Sequence, residues 1–198
     1  MKTLALIMTT AATVISSVLP PAKKAETYKV DAAKSTITWV GKKVTGQHEG
    51  TIKVASGELA TDGKNIKSGS FVIDMQSIDN TDLEGEMKDK LLGHLKSDDF
   101  FGVEKNPTAN FTITKVVPAG AGKVNVTGNL TIKGKTAPIS FPATVSISGN
   151  TLTANATSVK VDRTKYGIKY GSKSFFDSIG DKAINDEFEL AINLVSSK

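Results

Sequence analysis

Apolar and polar residues alternate along most of this chain, and this period of two constrains its fold more than any other feature. The alternation is strict over residues 124–132 and 188–194. Weaker versions occupy residues 37–39, 52–54, 71–75, 111–113, 139–147 and 152–161. A period of two is typical of β-strands with one buried and one solvated face. The pattern predicts about eight strands, and Pro142 predicts a bulge or an edge position within one of them.

One segment has instead the periodicity of an amphipathic helix, which we predict over residues 81–96. Thr81 and Glu84 have the spacing of a capping box at a helix N-terminus. Five apolar residues then fall on one broad face: Leu83, Met87, Leu91, Leu92 and Leu95. Such a helix can simply cover a sheet edge or one end of a barrel, or it can act as a lid.

An antiparallel chain of about eight strands can close into an up-and-down barrel, which removes the exposed sheet edges. We therefore predict a mainly β fold: a single lipocalin-like, eight-stranded barrel with the helix near its mouth. The interior of such a barrel is either filled by side chains or holds one ligand. An outer-membrane barrel is the rival, but it needs girdles of aromatic residues, and the chain has only 1 Trp, 3 Tyr and 8 Phe.

The amino-terminal residues have the pattern of a secretory signal peptide. Lys2 precedes an uncharged, largely apolar run from Thr3 to Pro21. A transmembrane anchor is the alternative, but the run is short for the roughly 20 residues that a spanning helix needs. We predict a signal peptide over residues 1–25, one domain over residues 26–198 and a periplasmic location. Because the chain has no Cys, we expect no lipoprotein anchor.

The charge balance argues against nucleic acid as a partner. The chain has 25 Lys and Arg against 20 Asp and Glu, and loss of residues 1–25 would remove Lys2, Lys23 and Lys24. The remaining 22 basic residues are spread among the 20 acidic ones, whereas a nucleic-acid site needs basic residues in clusters.

The residue types needed for catalysis do not occur in suitable arrangements. There is no Cys and no G-x-S-x-G motif, and the two His residues, His48 and His94, lie far apart in sequence. No His spacing suits zinc, and residues 79–84 do not follow the register of a calcium loop. Residues 134–136 imitate the end of a phosphate-binding loop but continue a strand pattern, which predicts a hairpin turn. We predict no enzyme activity, no cofactor and no metal.

Several motifs make the chain similar to a known family. They are Phe100-Phe101 within residues 94–111, the segment 128–134 with Pro138, Val161–Arg163 with Tyr166-Gly167, and residues 186–194. In order and spacing they resemble the YceI-like family of secreted bacterial lipid- and polyisoprenoid-binding proteins, over residues 28–195. The resemblance implies a lipocalin-like barrel with an elongated apolar cavity. It also implies an amphiphilic lipid as ligand, either an isoprenoid quinone or a polyprenyl phosphate, which the protein would carry or sequester.

An apolar cavity would hold a long hydrocarbon tail by burial, at about 25 cal/mol per Å² of apolar surface. Few polar groups are then needed to orient the head group. Each wall residue has the alternative role of filling the core. The candidate ligand-binding residues are Trp39, Phe71, Ile73, Met75, Leu91, Leu95, Phe100, Phe101, Phe111, Ile113, Phe141, Arg163, Phe175 and Phe176.

Arg163, the only Arg of the chain, has two interpretations. Its planar fork of donors suits a quinone oxygen or a diphosphate, but we favour a structural contact that holds the following loop.

The segment 164–185 is long for a connection in a compact domain and interleaves aromatic residues with Lys and Gly. It suits a flap over the barrel mouth or a transient contact with a membrane surface, and a homodimer is left open. Two alternatives to a lipid carrier remain: a closed-barrel structural or stress-protective secreted protein and, less favoured, a lipid-modifying enzyme.

Overall fold

The structure, a computed structural model, describes residues 25–177 and 180–198. Apart from Ala25, the predicted signal peptide lies outside the described residues. The described chain forms β1 (Glu26–Val30), β2 (Thr36–Lys43), β3 (Gly46–Thr61), β4 (Ile66–Asn80), α1 (Gly85–Lys96), β5 (Thr108–Pro118), β6 (Lys123–Ile132), β7 (Lys135–Ser148), β8 (Thr151–Asp162) and β9 (Ile184–Ser197). Two short 3₁₀ turns, Arg163–Tyr166 and Gly180–Lys182, precede β9. Among these residues, no helix is both long and apolar enough to span a bilayer.

The strands form one antiparallel sheet that closes on itself, which confirms the predicted eight-stranded barrel. Strands pair in chain order from β2 to β9, and β9 returns to pair with β2. The short β1 lies in line with β2, because both strands pair with β3 and both pair with β9. A turn at residues 31–35 separates them, in which Asp31 accepts hydrogen bonds from the N–H groups of Ala33 and Lys34. The nine strands therefore occupy eight positions around the barrel.

The sequence alternation becomes an alternation between the barrel interior and solvent. Along β7 the less exposed residues are the odd-numbered ones from Ala137 to Ile147, so Pro142 causes no bulge in the face pattern. The predicted edge position is confirmed, because β7 pairs with β8 only between Thr144 and Ser148. Residues 135–143 pair with β6 alone. Pro138 and Pro142 suit this free edge, since proline has no N–H to donate to a neighbouring strand.

The helix begins at Gly85, four residues later than predicted, and the capping box is wrong. Glu84 is extended at the N-cap, and its side chain makes no capping hydrogen bond. Residues 81–83 are instead tied to the barrel: the Thr81 hydroxyl donates to the carbonyl of Glu49, and Asn80 Oδ1 accepts the N–H of Leu83. These tertiary hydrogen bonds replace the local ones that the sequence predicted.

The two ends of the barrel are closed by different kinds of segment. At the α1 end, the strands are joined by α1 with residues 97–107 and by residues 163–183, and the β2–β3 and β6–β7 hairpins also lie there. At the opposite end, which we call the hairpin end, short turns at residues 62–65, 119–122 and 149–150 join the strands.

Candidate ligand cavity

An apolar cavity of about 210 Å³ runs inside the barrel between these two ends. All eight barrel positions contribute to its wall, because every strand turns alternate residues inward. Four of its lining residues are polar: Asn155, Arg163, Asn185 and Glu187. The cavity is therefore suited to a hydrocarbon and offers few partners to a polar group.

Eleven of the fourteen predicted ligand-binding residues line this cavity. They are Trp39, Phe71, Ile73, Met75, Leu95, Phe100, Phe101, Phe111, Ile113, Phe141 and Arg163. Leu91 is half-buried on α1, whereas Phe175 and Phe176 are 46% and 51% exposed outside the barrel. The predicted set omitted the wall contributed by β9, where Phe188, Leu190, Ile192 and Leu194 line the cavity. Their strict alternation was the signal that could have placed them there.

Two groups of aromatic rings divide the wall along the barrel axis. Near the α1 end, Phe101 makes edge-to-face contacts with Phe100 and Phe188, at centroid distances of 5.1 and 6.4 Å. Further in, the ring of Phe111 lies 6.3 Å from Phe71 and 5.7 Å from Phe141. Rings in such offset and edge arrangements pack favourably against one another, and they form a rigid apolar wall.

Two strand glycines make room for the inner rings. A Cβ atom on Gly128 would lie 2.4 Å from Phe111 Cζ, and one on Gly57 would lie 2.6 Å from Phe71 Cδ1. Any larger residue at either position would displace the ring, because heavy atoms in contact need more than 3 Å. These glycines support the inner rings without lining the cavity themselves, and the sequence analysis had included Gly128 in an alternating strand and in a family segment.

Arg163 is almost completely buried, at 1% exposure, and its guanidinium group holds the chain rather than an open site. Nε donates to the carbonyl of Asn185, Nη1 donates to Ile168 and Tyr170, and Nη2 donates to Ile184, at 2.7 to 3.0 Å. Asp186 lies 3.5 Å from Nη2. The favoured structural interpretation of Arg163 therefore fits its contacts, and we call this arrangement the Arg163 clamp.

Electrostatics at the clamp follow from its burial. Burial lowers the pKa of Arg163, and the nearby Asp186 and Asp162 carboxylates oppose that change. Burial, helped by the charge of Asp162, raises the pKa of Tyr166 to about 12. The ordinary pKa of arginine is so high that the group stays charged, and the ion is stabilised by carbonyl oxygens instead of water.

The pairing between β7 and β8 ends part-way along the barrel, beside the cavity. Their last pair toward the α1 end is Thr144 with Asn155, and the exposed Asn155 lines the cavity. Beyond this pair, Ala143 on β7 and Ala156 on β8 also line it, with no strand pairing between the two edges. We call this gap in the strand pairing the β7–β8 cleft.

The comparison with known families covers most of the chain. The family described as the YceI-like domain matches residues 28–196. The chain belongs to the YceI-like family. This confirms the resemblance seen in its sequence.

Solved structures of this fold include two with high coverage of the YceI-like chain. BcnA of Burkholderia cenocepacia is 29% identical with a TM-score of 0.67, covering 84% of this chain and 98% of that one. A polyisoprenoid binding domain from Saccharophagus degradans, implicated in plant cell wall breakdown, is 19% identical with a TM-score of 0.65, covering 86% and 97%. At 19% identity the second comparison shows the shared fold alone.

A curated relative of the YceI-like chain is a UPF0312 protein of Vibrio campbellii, 38% identical over 104 residues. That match covers 52% of this chain and 52% of the relative. The chain thus spans about half the length of the curated relatives it matches.

The YceI-like barrel has no preassembled metal site in its described part: no group of three or more His, Cys, Asp or Glu residues within residues 25–177 and 180–198 could hold an ion. His48 pairs with Asp82 at 2.8 Å on the barrel surface. His94 lies at the C-terminal end of α1, with its ring against Tyr170 and Phe100. The two histidines thus have separate local partners.

Proposed function

We propose that this protein is exported to the periplasm and binds an isoprenoid-type lipid, with its tail in the barrel cavity. One observation carries the proposal: an aromatic and aliphatic cavity with four polar lining residues, of which Arg163 and Asn185 are engaged in the Arg163 clamp. The polyisoprenoid binding domain with the same fold supports the choice of lipid class. Binding would be driven by burial, at about 0.8 kcal/mol for each methylene removed from water.

The contacts of Arg163 favour an uncharged head group. A phosphate inside the barrel would need several donors to offset the loss of its hydration, but the guanidinium nitrogens already donate to four carbonyl oxygens. A quinone head has no charge to compensate. Between the two ligands implied by the family resemblance, we therefore propose an isoprenoid quinone for the cavity. A polyprenyl phosphate could bind only with its head left in solvent.

The β7–β8 cleft is the proposed access route for the tail. Two small residues, Ala143 and Ala156, line the cavity there, and no ladder hydrogen bonds have to break between the two edges. A flexible chain can therefore enter without unfolding a strand pair.

The test is equilibrium binding of a long-chain isoprenoid quinone, delivered from detergent to the full chain. Binding should quench Trp39, the only Trp, because its indole lines the cavity. Extraction and mass spectrometry after gel filtration should recover the quinone. A polyprenyl phosphate of equal tail length should bind more weakly, which tests the head-group preference.

A pair of neighbouring variants separates the cavity from nonspecific adsorption. Ala143→Leu adds volume inside the cavity, while Thr144→Leu adds it on the exposed face of the same strand. We expect Ala143→Leu to weaken binding roughly tenfold or more by filling the space, and Thr144→Leu to bind as the unmodified protein does. Ala156→Leu is the second cavity variant if the first does not fold. No recoverable lipid, or equal binding by the inward and outward variants, would favour a closed-barrel structural protein.

A further inference from the structure

Exposed large apolar side chains are concentrated at one end of the barrel. The described residues include six, and five of them belong to the α1 end: Val44, Met87, Tyr170, Phe175 and Phe176. The sixth, Val117, lies near the end of β5, toward the hairpin end. Single exposed apolar residues are ordinary, but several on one surface mark an interaction site.

Three of these side chains are aromatic and lie on a loop whose backbone makes several hydrogen bonds. The Arg163 clamp binds the carbonyl of Tyr170, and Ile184 donates its N–H to the carbonyl of Gly171. The N–H groups of Phe175 and Phe176 both donate to the carbonyl of Ser172. We call Tyr170, Phe175 and Phe176 the aromatic face. Its side chains are about half exposed on a hydrogen-bonded backbone, even though burying them would be favourable.

Basic residues lie close in sequence to the aromatic face. Lys165, Lys169, Lys173 and Lys182 are all exposed, and the Lys169 ammonium lies 4.4 Å from the centroid of the Phe175 ring. Two exposed acids, Asp177 and Asp181, lie on the same segment, so the local balance is positive. Aromatic rings between lysines match the interfacial region of a membrane, where rings sit at head-group depth and lysines meet anionic lipid.

The aromatic face is also continuous with the cavity wall. The ring of Tyr170 lies 4.4 Å from the ring of His94, which in turn lies 5.6 Å from the ring of Phe100. Phe100 lines the cavity. The His94 ring thus lies between Tyr170 of the exposed face and Phe100 of the cavity wall.

We infer that the aromatic face docks the protein onto an anionic phospholipid bilayer, with Phe175 and Phe176 inserted among the head groups and the lysines against anionic lipid. The inference goes beyond the proposed function: it concerns where the protein meets lipid in a membrane, and it stands even if the cavity binds nothing.

The experiment is cosedimentation of the full chain with vesicles of phosphatidylethanolamine and phosphatidylglycerol, and with vesicles of phosphatidylcholine alone. We expect binding to the anionic vesicles that weakens as salt is raised, because salt screens exposed charges, and little binding to the neutral ones. The double variant Phe175→Ser/Phe176→Ser should lower binding roughly tenfold. The double variant Lys169→Gln/Lys173→Gln should lower binding to the anionic vesicles only.

The matched control is Val117→Ser, which removes the exposed apolar residue outside the α1 end and should leave vesicle binding unchanged. Circular dichroism melts establish that each variant is folded. The inference is overturned if the unmodified protein does not bind anionic vesicles, or if Val117→Ser loses as much binding as the double Phe variant. Quinone loading from detergent distinguishes the two proposals, because the Phe175→Ser/Phe176→Ser variant should load normally if the cavity binds lipid.

Discussion

The hairpin end and the α1 end close the same barrel by opposite means. At the hairpin end, Tyr28 and Leu152 are fully buried without lining the cavity. The turn that follows β3 is held locally, since Asp62 accepts hydrogen bonds from the N–H groups of Lys64 and Asn65. At the α1 end, two long segments are held by polar side chains. Lys133 donates to the carbonyl groups of Asp98 and Phe100, and the Arg163 clamp joins residues 168–170 to residues 184–185.

This difference indicates which end of the barrel can carry binding residues. Short turns with local hydrogen bonds give a closed end of fixed shape. Long segments tied by a few buried polar contacts can carry exposed aromatic residues and a helix without loosening the strands. Binding features are commonly found on such connections, supported by a rigid scaffold. The predictions that follow test whether the two ends are energetically as separate as their contacts indicate.

The largest effect is expected for Arg163→Met. The substitution leaves the carbonyl groups of four residues without their donor and Asp186 without its neighbouring cation. Breaking a buried charged network of this kind costs about 3–5 kcal/mol of unfolding free energy, measurable by urea denaturation. Arg163→Lys should recover little, because an ammonium cannot reproduce the planar fork.

The exposed neighbour Lys160 supplies the control for that experiment, as Lys160→Met should change stability little. Hydrogen exchange should then report faster exchange in residues 163–184 of Arg163→Met and unchanged exchange at the hairpin end. Uniformly faster exchange would show that the two ends are coupled.

A somewhat smaller loss is expected for Leu152→Ala at the hairpin end. Leu152 is fully buried on β8, and its truncation leaves a cavity that costs about 3 kcal/mol. Quinone binding should persist, because this side chain does not line the ligand cavity. Thermal melts should compare Leu152→Ala with Thr151→Ala, a variant at the exposed neighbouring residue. Loss of quinone binding in a folded Leu152→Ala protein would contradict the separation of the ends.

A covalent bridge across the β7–β8 cleft should slow the loading of quinone into the cavity. The chain has no Cys, so the double variant Pro142→Cys/Thr157→Cys can be joined by a flexible bis-maleimide across the cleft. If the tail enters there, bridging should slow quinone loading roughly tenfold, as expected when an access motion is blocked. Stopped-flow quenching of Trp39 measures the rate.

The pair Ser146→Cys/Thr153→Cys is the matched control, because it joins the same two strands where they already pair. The same reagent should leave its loading rate unchanged. An unaltered rate in the bridged cleft variant would instead show that the tail does not enter through the cleft.

The smallest effects concern pH. At the hairpin end, hydrogen bonds from Lys67 and from the N–H groups of Asn65 and Lys64 hold the pKa of Asp62 well below its ordinary value of 3.8. At the α1 end, burial alone would raise the pKa of Asp82, but hydrogen bonds from Glu49, His48 and Asn80 lower it. A carboxylate with a lowered folded pKa contributes stability above its unfolded pKa and loses that contribution as pH falls toward the folded value.

Both ends should therefore lose stability as pH falls below about 4. The Asp62→Asn and Asp82→Asn variants should each have a lower free energy of unfolding than the unmodified protein at neutral pH. As the pH is lowered below about 4, their free energy of unfolding should decrease less steeply than that of the unmodified protein. A variant with the same acid slope as the unmodified protein would show that its carboxylate does not contribute.

Sequence analysis predicted the inward-facing residues best where the alternating pattern lies within a single strand. The alternation along β6, β7 and β9 matches the less exposed side of each strand. Eleven of the fourteen candidate residues line the cavity, although Phe141 is the one candidate on these three strands. It failed where distant segments meet. The Thr81–Glu84 spacing suggested a local cap, but Glu49 on β3 supplies the acceptor for Thr81. Phe175 and Phe176 looked like wall residues because aromatic residues are usually buried, and only their loop geometry turns them outward.

The sequence by itself determined the mainly β fold, the family and the apolar character of the interior, because side-chain direction in a strand follows from the period of two. Tertiary structure alone decided that β1 and β2 share one barrel position, that β7 and β8 part beyond Thr144, and that Arg163 serves as a clamp. These features depend on how far strands pair and which carbonyl groups come within reach of a donor. Both are set by segments distant in sequence, and no local pattern records them.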